Sequence, residues 1–406
     1  MNILSRAKEN PFIGFVFLFI FLMPWNINNG QMSLLSIILL IWWMIIGRKK
    51  GYFSKLKDIF HTTPLVLLIF FLLYAYGSLL WSQNIAFGID STLNFYKYYW
   101  IMVPILFTAL SRQDALWGMY VLIFSFSVYG VLSLMIFLDI IHIPSSSPRD
   151  PKGHLAYAVV TAYMGLGSLL AMAAFFFATS KKSKVFFLAC FAICTIGLFI
   201  NQGRASQLAF LGTIVVLAIV YRKYIFTNLK ISLAFLGIAS IAFLLFSQTS
   251  QFDRFAQGFK ELQHIEEKHF AGSWGQRAYM WYASAHIIKQ EPLFGVGVGD
   301  NIDAFIDYTK EHPSEATWLR SFHNQHLDYL TKFGLIGYMV FLLGIYALLR
   351  KCSKSTIFGS LGIIFFSFVF INSLGDILLL MKPFNNIYIL VFILITIGCI
   401  RPPSAA

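Results

Sequence analysis

The sequence predicts an all-α integral membrane protein that crosses the bilayer many times. Of its 406 residues, 58% are apolar and only 12% are charged, which is outside the usual range of soluble domains. Apolar runs of about 17 to 25 residues recur along the chain, and this is the length that one helix needs to cross a hydrocarbon core of about 30 Å. Lipid offers no partner for unpaired backbone groups, so each run is expected to be a helix.

Apolar runs predict about twelve transmembrane helices. The first run lacks a small-residue cleavage site and more runs follow it, which indicates an uncleaved anchor. The sequence therefore predicts nine transmembrane helices in residues 1–247, a large outer loop in 248–325 and three more helices in 326–406. The apolar runs are 11–26, 32–47, 64–81, 94–110, 116–140, 154–178, 184–200, 205–221, 229–247, 326–349, 356–378 and 384–400.

The distribution of Lys and Arg predicts the orientation of the chain. With the N-terminus inside, most basic residues fall in cytoplasmic segments such as RKKGYFSKLK, whereas the short outer loops NINNGQ and SQNIAFGIDSTL carry none. The positive-inside rule therefore predicts that both termini are cytoplasmic. Because the net charge of +13 is spread along an inner rim, it gives little support to nucleic-acid binding.

The outer loop 248–325 is expected to contain helices, because a structureless loop of this length is uncommon. The segment GSWGQRAYMWYASAHIIKQ predicts an amphipathic helix from Ser273 to Gln290, which Glu291-Pro292 would end. The following GVGVGD does not follow a strand, so we interpret it as a tight loop and not as a phosphate-binding loop.

The outer face collects unusual polar residues from separate segments of the chain. Arginines on this face need an explanation, because the positive-inside rule predicts that outer loops contain few of them. These residues are Arg149 and His154 in PSSSPRDPKGH, Arg204 in NQGRAS, Arg277 in the loop helix, and His323, Asn324 and His326 in SFHNQH.

Two of the arginines suggest an anion site. Arg204 lies in a loop of about four residues between apolar runs, and its planar guanidinium could hold phosphate oxygens with two parallel hydrogen bonds. A snorkelling arginine or an ion pair with Asp376 is the alternative. Arg277 lies in the first turn of its helix, where a cation opposes the helix dipole. This suggests a nearby anion, although a salt bridge to Glu266 or Glu267 would also explain it.

His323 is a candidate general base. At the positive end of the tenth predicted helix the neutral imidazole is favoured, and a neutral ring can accept a proton near pH 7. His326, one turn later, could orient it or contact substrate; for both histidines, interfacial hydrogen bonding is the alternative. The loop is expected to run without a break into the helix, where Gly334 and Gly337 would let another helix approach closely.

These residues together point to a lipid-linked phosphate or diphosphate as the substrate. We find no metal-ligand spacing and expect no cofactor, so arginines would stabilise the leaving group in place of a metal ion.

One motif gives a resemblance to a known family. His323-Asn324, nine further residues and then Gly334-Leu-Ile-Gly337 match the pattern H-[N/S/Q]-x9-G-x-x-G of O-antigen ligases. The chain also resembles that family in its twelve predicted spans, its large outer loop, the NQGRAS turn and the R-x3-W…PLFGVGVG run. The recognisable motifs cover roughly residues 190–340.

The resemblance implies a GT-C-like fold and a metal-independent, inverting glycosyltransferase of the Gram-negative inner membrane. Such an enzyme transfers polysaccharide from undecaprenyl diphosphate to a sugar hydroxyl of lipid A-core at the periplasmic face, within the membrane lipids. By position, His323 would deprotonate or orient the acceptor, and Arg204 and Arg277 would hold the diphosphate. The remaining substrate-site candidates are His326, Asn324, Arg149 and His154.

Three other functions remain open. An O-antigen polymerase would use the same donor, but polymerases often carry an arginine followed ten residues later by glycine in outer loops, and the outer arginines here lack that spacing. A protein O-oligosaccharyltransferase shares the architecture. A polysaccharide transporter would place ionisable residues along the bundle midplane, whereas the polar residues here collect at one face.

Overall fold

The protein is a helical bundle in the computed structural model, which describes residues 3–25, 29–223, 272–313 and 321–402 with isolated positions between 233 and 270. No β-strand occurs in these ranges. Short helical turns lie at Phe53–Lys55, Lys57–Phe60, Ser78–Leu80, Ile85–Gly88, Ile89–Leu93 and Leu378–Leu380. The longer helices are α1 (Ile3–Glu9), α2 (Pro11–Leu22), α3 (Asn29–Gly47), α4 (Thr63–Gly77), α5 (Asn94–Ala109), α6 (Arg112–Phe137), α7 (Tyr157–Phe177), α8 (Lys181–Ile200), α9 (Arg204–Val220), α10 (Gly272–Gln290), α11 (Asn301–Glu311), α12 (Gln325–Lys351), α13 (Ile357–Asn372) and α14 (Lys382–Ile400).

The predicted all-α, multi-pass class is confirmed. Among the described residues, 7 helices are long and apolar enough to cross a membrane, and α2, α9 and α13 are shorter apolar helices. The predicted run 229–247 lies almost entirely outside the described residues. Twelve spans and a GT-C-like fold therefore stay predictions.

Helices α7 and α14 form the centre of the bundle. In each, 83% of the apolar window is buried, compared with 28% in α3. A helix that is apolar on every side is stable only when other helices surround it or lipid does. The other spans surround these two helices. They pack one side against the protein and expose side chains such as Ile45 and Val215 on the other side.

The helix ends form two groups, at opposite ends of the bundle. At one end Arg6 Nε bonds Asp114 at 2.9 Å, Arg401 donates to carbonyls at the end of α5, and Cys352 forms a disulfide with Cys399. This end carries the basic segments that the sequence analysis assigned to the cytoplasm. The starts of α9 and α12 and the end of α13 lie at the other end, together with the candidate site.

The predicted loop helix Ser273–Gln290 is α10. Its apolar side, which includes Met280 and Ile287, packs against Phe305 of α11 and against Phe322 just before α12. This small second core fixes the described part of the outer loop to the start of α12.

The predicted tenth span, 326–349, is α12, and this helix contains a break at Gly334 that the sequence did not indicate. Gly334 has φ 60° and ψ −169°, a combination that is essentially restricted to glycine. His326 Nδ1 and the Tyr338 hydroxyl lie 2.8 Å apart, although twelve residues would span about 18 Å of straight helix.

The 292–297 loop satisfies the backbone groups that the break exposes. The 292–297 segment, within PLFGVGVG, runs directly beside Gly334, and a Cβ on Gly295 would lie 2.6 Å from the Thr331 oxygen. Pairing of freed backbone groups by protein is the condition for irregular backbone at membrane depth. The four bonds are Val296 N–H to the Thr331 carbonyl (2.9 Å), Gly297 N–H to Lys332 (3.1 Å), Leu335 N–H to Pro292 (2.9 Å) and Ile336 N–H to Leu293 (3.1 Å).

Candidate active site

His323 lies directly before the first turn of α12 in a strained backbone conformation. Its φ is 43°, in the left-handed region that non-glycine residues rarely adopt and that is enriched at functional sites. The Asn324 side chain starts the helix by accepting the N–H groups of His326 and Leu327 at 3.0 and 3.1 Å. Asparagine is among the preferred residues for this capping position. The sequence therefore fixes where α12 begins, and with it the place of His323.

The start of α12 is hydrogen-bonded to the turn that follows α13. Asn324 Nδ2 donates to the Leu374 carbonyl at 3.2 Å, and the Gln325 N–H donates to the Ser373 carbonyl at 2.9 Å. On the far side of this turn, the Leu379 N–H donates to Gln325 Oε1 at 3.1 Å. The intervening Asp376 is thereby held near the His323 ring.

His323, Asp376 and Arg277 interact electrostatically. Burial lowers the pKa of His323; the Asp376 carboxylate raises that pKa and the Arg277 guanidinium lowers it further. Burial raises the pKa of Asp376, while the Ile377 N–H, His323 and Arg277 act in the opposite direction. Because the net effect lowers the pKa of His323, the ring is in its neutral form near pH 7.

Arg204 begins α9 beside the same turn. The next residue, Ala205, lies against Gly375, where an added Cβ would be 3.4 Å from the Ala205 Cβ. Ser206 Oγ accepts a hydrogen bond from Asn372 Nδ2 at 2.9 Å. The turn after α13 thus contacts both the start of α12, with His323, and the start of α9, with Arg204.

Arg149 and His154 belong to the neighbouring 144–156 loop. The Arg149 carbonyl accepts a hydrogen bond from Gln202 Nε2 at 2.9 Å, so this loop touches the turn that carries Arg204. The Arg149 side chain is exposed. A ring nitrogen of His154 is hydrogen-bonded to the Trp25 carbonyl, which ties this histidine to the end of α2.

Both ring nitrogens of His326 have hydrogen-bond partners. Nε2 lies 3.0 Å from the Phe370 carbonyl, which can only accept, and Nδ1 lies 2.8 Å from the Tyr338 hydroxyl. His326 therefore carries its proton on Nε2 and accepts from Tyr338, which leaves no nitrogen for an acceptor hydroxyl. It also lines an apolar groove of about 190 Å³ between α12 and α13.

Gly337 and Gly334 have different neighbours. A Cβ on Gly337 would lie 2.5 Å from the Tyr74 ring of α4, so this glycine does sit where another helix approaches. At Gly334 the close neighbour is the 292–297 loop.

A larger cavity of about 660 Å³ lies beside the 292–297 loop. Its lining includes the aromatic side chains of Trp81 and Phe294. It also contains the carboxylates of Glu291, Asp300, Asp303 and Asp307. Such a lining repels a diphosphate, so the group around His323 suits an anionic donor better than the larger cavity does.

The arrangement can deprotonate a hydroxyl and hold an anion in the same place. A neutral imidazole near a carboxylate is the usual pairing for a general base, because the carboxylate stabilises the imidazolium that forms. Sequence reasoning named Asp376 only as a possible ion-pair partner of Arg204 and not as a neighbour of His323. The cost of placing an ionisable side chain in an apolar run was the signal that could have found it.

Residues 189–342 match the family model for the O-Antigen ligase. This part of the chain is similar to the O-antigen ligase family. The matched range contains Arg204, Arg277 and His323, together with Gly334 and Gly337. No curated protein matches the chain.

Proposed function

We propose that the protein is an O-antigen ligase. It transfers polysaccharide from undecaprenyl diphosphate to a sugar hydroxyl of lipid A-core, by an inverting reaction that needs no metal ion. The ligase-family domain supports this class of reaction, and the multi-pass bundle suits a donor and an acceptor that are both lipids.

His323 is the proposed base. Its neutral ring accepts the proton of the acceptor hydroxyl while the acceptor oxygen attacks the anomeric carbon. The bond between that carbon and the diphosphate oxygen breaks, and undecaprenyl diphosphate leaves with the electron pair. Attack on the face opposite the leaving group inverts the anomeric centre.

Arg277 and Arg204 are the proposed diphosphate ligands. Charge develops on the leaving oxygen, and guanidinium groups placed there stabilise it more in the transition state than in the ground state. Arg277 acts near His323, so proton acceptance and charge stabilisation occur at one place. Asp376 positions His323 and stabilises the imidazolium.

The electrostatic interaction of His323 with both Asp376 and Arg277 is the observation that carries the proposal. A structural histidine would need no such pairing of charges, and His326, with both nitrogens bonded, is the contrasting case. The left-handed backbone of His323 adds to this, because strain of this kind persists where the surroundings impose it.

We place the reaction at the periplasmic face of the inner membrane. The His323 site lies at the end of the bundle opposite the basic segments, and the positive-inside rule assigns those segments to the cytoplasm.

A deletion strain complemented with wild type or His323→Ala tests the proposal. Lipopolysaccharide and undecaprenyl-linked glycan are both resolved by gel. A ligase leaves long glycan on the lipid carrier and bare lipid A-core in the deletion and in His323→Ala. Core capped by a single repeat unit would instead identify an O-antigen polymerase.

A further inference from the structure

A buried ion pair lies on the first half of α12, away from the charged groups around His323. Lys332 Nζ and Asp328 Oδ2 are 3.0 Å apart, and each side chain is only 3% exposed. Burying two charges is costly, and such pairs often add little net stability compared with apolar residues of similar size. Their best-attested use is to specify one register among several.

Each member of the pair also bonds a different outer element. Lys332 Nζ donates to Thr92 Oγ1 at 3.2 Å, in the turn that leads into α5. Asp328 Oδ1 accepts from Asn301 Nδ2 at 3.3 Å, at the first residue of α11. Thr92 and Asn301 are themselves buried, so the first half of α12 is held from two sides by directional bonds.

The first half of α12 is a short segment, because the helix breaks directly after it. Residues 325–333 are cut off at Gly334 from the part of α12 that continues across the bundle. Backbone hydrogen bonds hold the two ends of this half-helix, to the turn after α13 and to the 292–297 loop, and the Asp328–Lys332 pair adds side-chain bonds between these ends. His323 lies at the other end of the same half-helix.

We propose that the Asp328–Lys332 pair, clamped by Thr92 and Asn301, positions the half-helix so that His323 meets Asp376 and Arg277. The inference rests on the proposed transferase function of His323. Asp328 and Lys332 are positioning residues, since they act through the half-helix and not on the substrate. A misplacement of about 1 Å at a reacting group can cost up to about 100-fold in rate.

Two variants remove the pair in different ways. Lys332→Met leaves Asp328 buried without its cation, so a folding defect is a foreseeable result. Asp328→Asn combined with Lys332→Met removes both charges, keeps similar volumes and preserves a group that can accept from Asn301. The double variant therefore tests the positioning role without leaving an unpaired buried charge that would destabilise the fold.

The matched control is Lys310→Met. Lys310 pairs with Asp307 at 2.7 Å on α11, with side chains 70% and 71% exposed. Exposed pairs of this kind contribute little, so this control removes an ion pair from the same outer region without touching α12.

Two measurements on the purified full-length protein decide the matter. Hydrogen–deuterium exchange is followed in the peptide covering residues 321–333, and kcat for glycan transfer is followed across pH. In the double variant, hydrogen–deuterium exchange in that peptide should be faster than in wild type. Its kcat should fall about tenfold or more, and the acid limb of its pH–kcat profile should shift. Lys310→Met should match wild type in all three.

The outcomes are distinguishable. The positioning role would be overturned if the double variant exchanged hydrogen in residues 321–333 at the wild-type rate. It would also be overturned if the double variant kept the wild-type kcat and pH profile. A wild-type protein that transfers no glycan would overturn the proposed function instead, while the exchange data would still show whether the pair holds the half-helix.

Discussion

His323 and Asp376 act on each other because the first turn of α12 is hydrogen-bonded to the turn after α13. Each residue comes from a segment that leaves regular helix: His323 has a left-handed backbone, and Asp376 follows the end of α13 at Asn372. Their interaction alters the pKa of both groups. This interaction follows from the hydrogen bonds that join the two helix ends. It predicts in which direction the pH dependence of activity shifts when Asp376 is replaced.

Removing Asp376 or Arg277 should move the acid limb of activity in opposite directions. Asp376 raises the pKa of His323 and Arg277 lowers it. Asp376→Asn should therefore let activity persist to lower pH, although with a reduced kcat, because the imidazolium is less stabilised. Arg277→Gln should make activity fall at a higher pH than in wild type. The pH profile of kcat at saturating donor measures both.

The control for this pair is Asp307→Asn, an exposed carboxylate on α11. It should leave the profile unchanged. If the two site variants shift the acid limb in the same direction, or not at all, His323 is not the titrating base.

Arginine-to-lysine substitutions should weaken donor use while keeping the charge. Arg204→Lys and Arg277→Lys lose the planar fork that meets two phosphate oxygens. Charge-assisted hydrogen bonds contribute about 1.5–3 kcal/mol each, so we expect at least a tenfold rise in the KM for the lipid diphosphate donor. Arg350→Lys, at the opposite end of the bundle, is the matched control. Unchanged donor KM and turnover in both site variants would count against the diphosphate assignment.

Gly334→Ala should destabilise the protein far more than Gly344→Ala in the same helix. At Gly334 the backbone has φ 60°, and a Cβ would collide with the Leu293 carbonyl. At Gly344 the nearest atom would be 3.7 Å away, an ordinary contact. Strain of this kind costs about 1–3 kcal/mol before the collision is counted.

Thermal unfolding in detergent measures this difference as a change in Tm. Gly344→Ala is expected to match wild type or exceed it, because alanine favours helix by about 1 kcal/mol over glycine. Equal Tm values for the two variants would mean that α12 is continuous through Gly334.

The cysteine pair at the basic end of the bundle reports the orientation. If that end faces the cytoplasm, a reducing compartment should keep Cys352 and Cys399 as thiols in the cell. In a Cys190→Ser, Cys194→Ser background, intact cells should then be labelled by a membrane-permeant maleimide and not by an impermeant one. Labelling by neither reagent until a reductant is added would mean that the Cys352–Cys399 disulfide forms in an oxidising compartment, and this would reverse the proposed topology.

The length of the apolar runs predicted most of the long described helices, because length and composition decide whether a segment can cross a membrane. The break at Gly334 could not be predicted from its own surroundings, since GLIG in an apolar run is typical of close helix packing. It depends on the 292–297 loop, whose backbone bonds the freed groups.

The candidate site was predicted in part for a similar reason. His323, Arg204 and Arg277 stand out as polar residues on an outer face, so composition alone indicated them. Asp376 was indicated only as a possible partner of Arg204, because the apolar run 356–378 suggested a charge inside a helix, whereas α13 ends at Asn372. His326 shows the opposite case. Its residue type and spacing suggested a substrate contact. Only the positions of Phe370 and Tyr338 show that both ring nitrogens already have hydrogen-bond partners.

The most direct test of the central claim is the transfer rate of purified His323→Ala. Wild type and variant are reconstituted in lipid with undecaprenyl-diphosphate-linked glycan and lipid A-core, and donor binding is measured alongside. A general base contributes about 10²–10⁴-fold; the variant should lose a factor of this size in kcat while still binding donor. Transfer at the wild-type rate by His323→Ala would contradict the account.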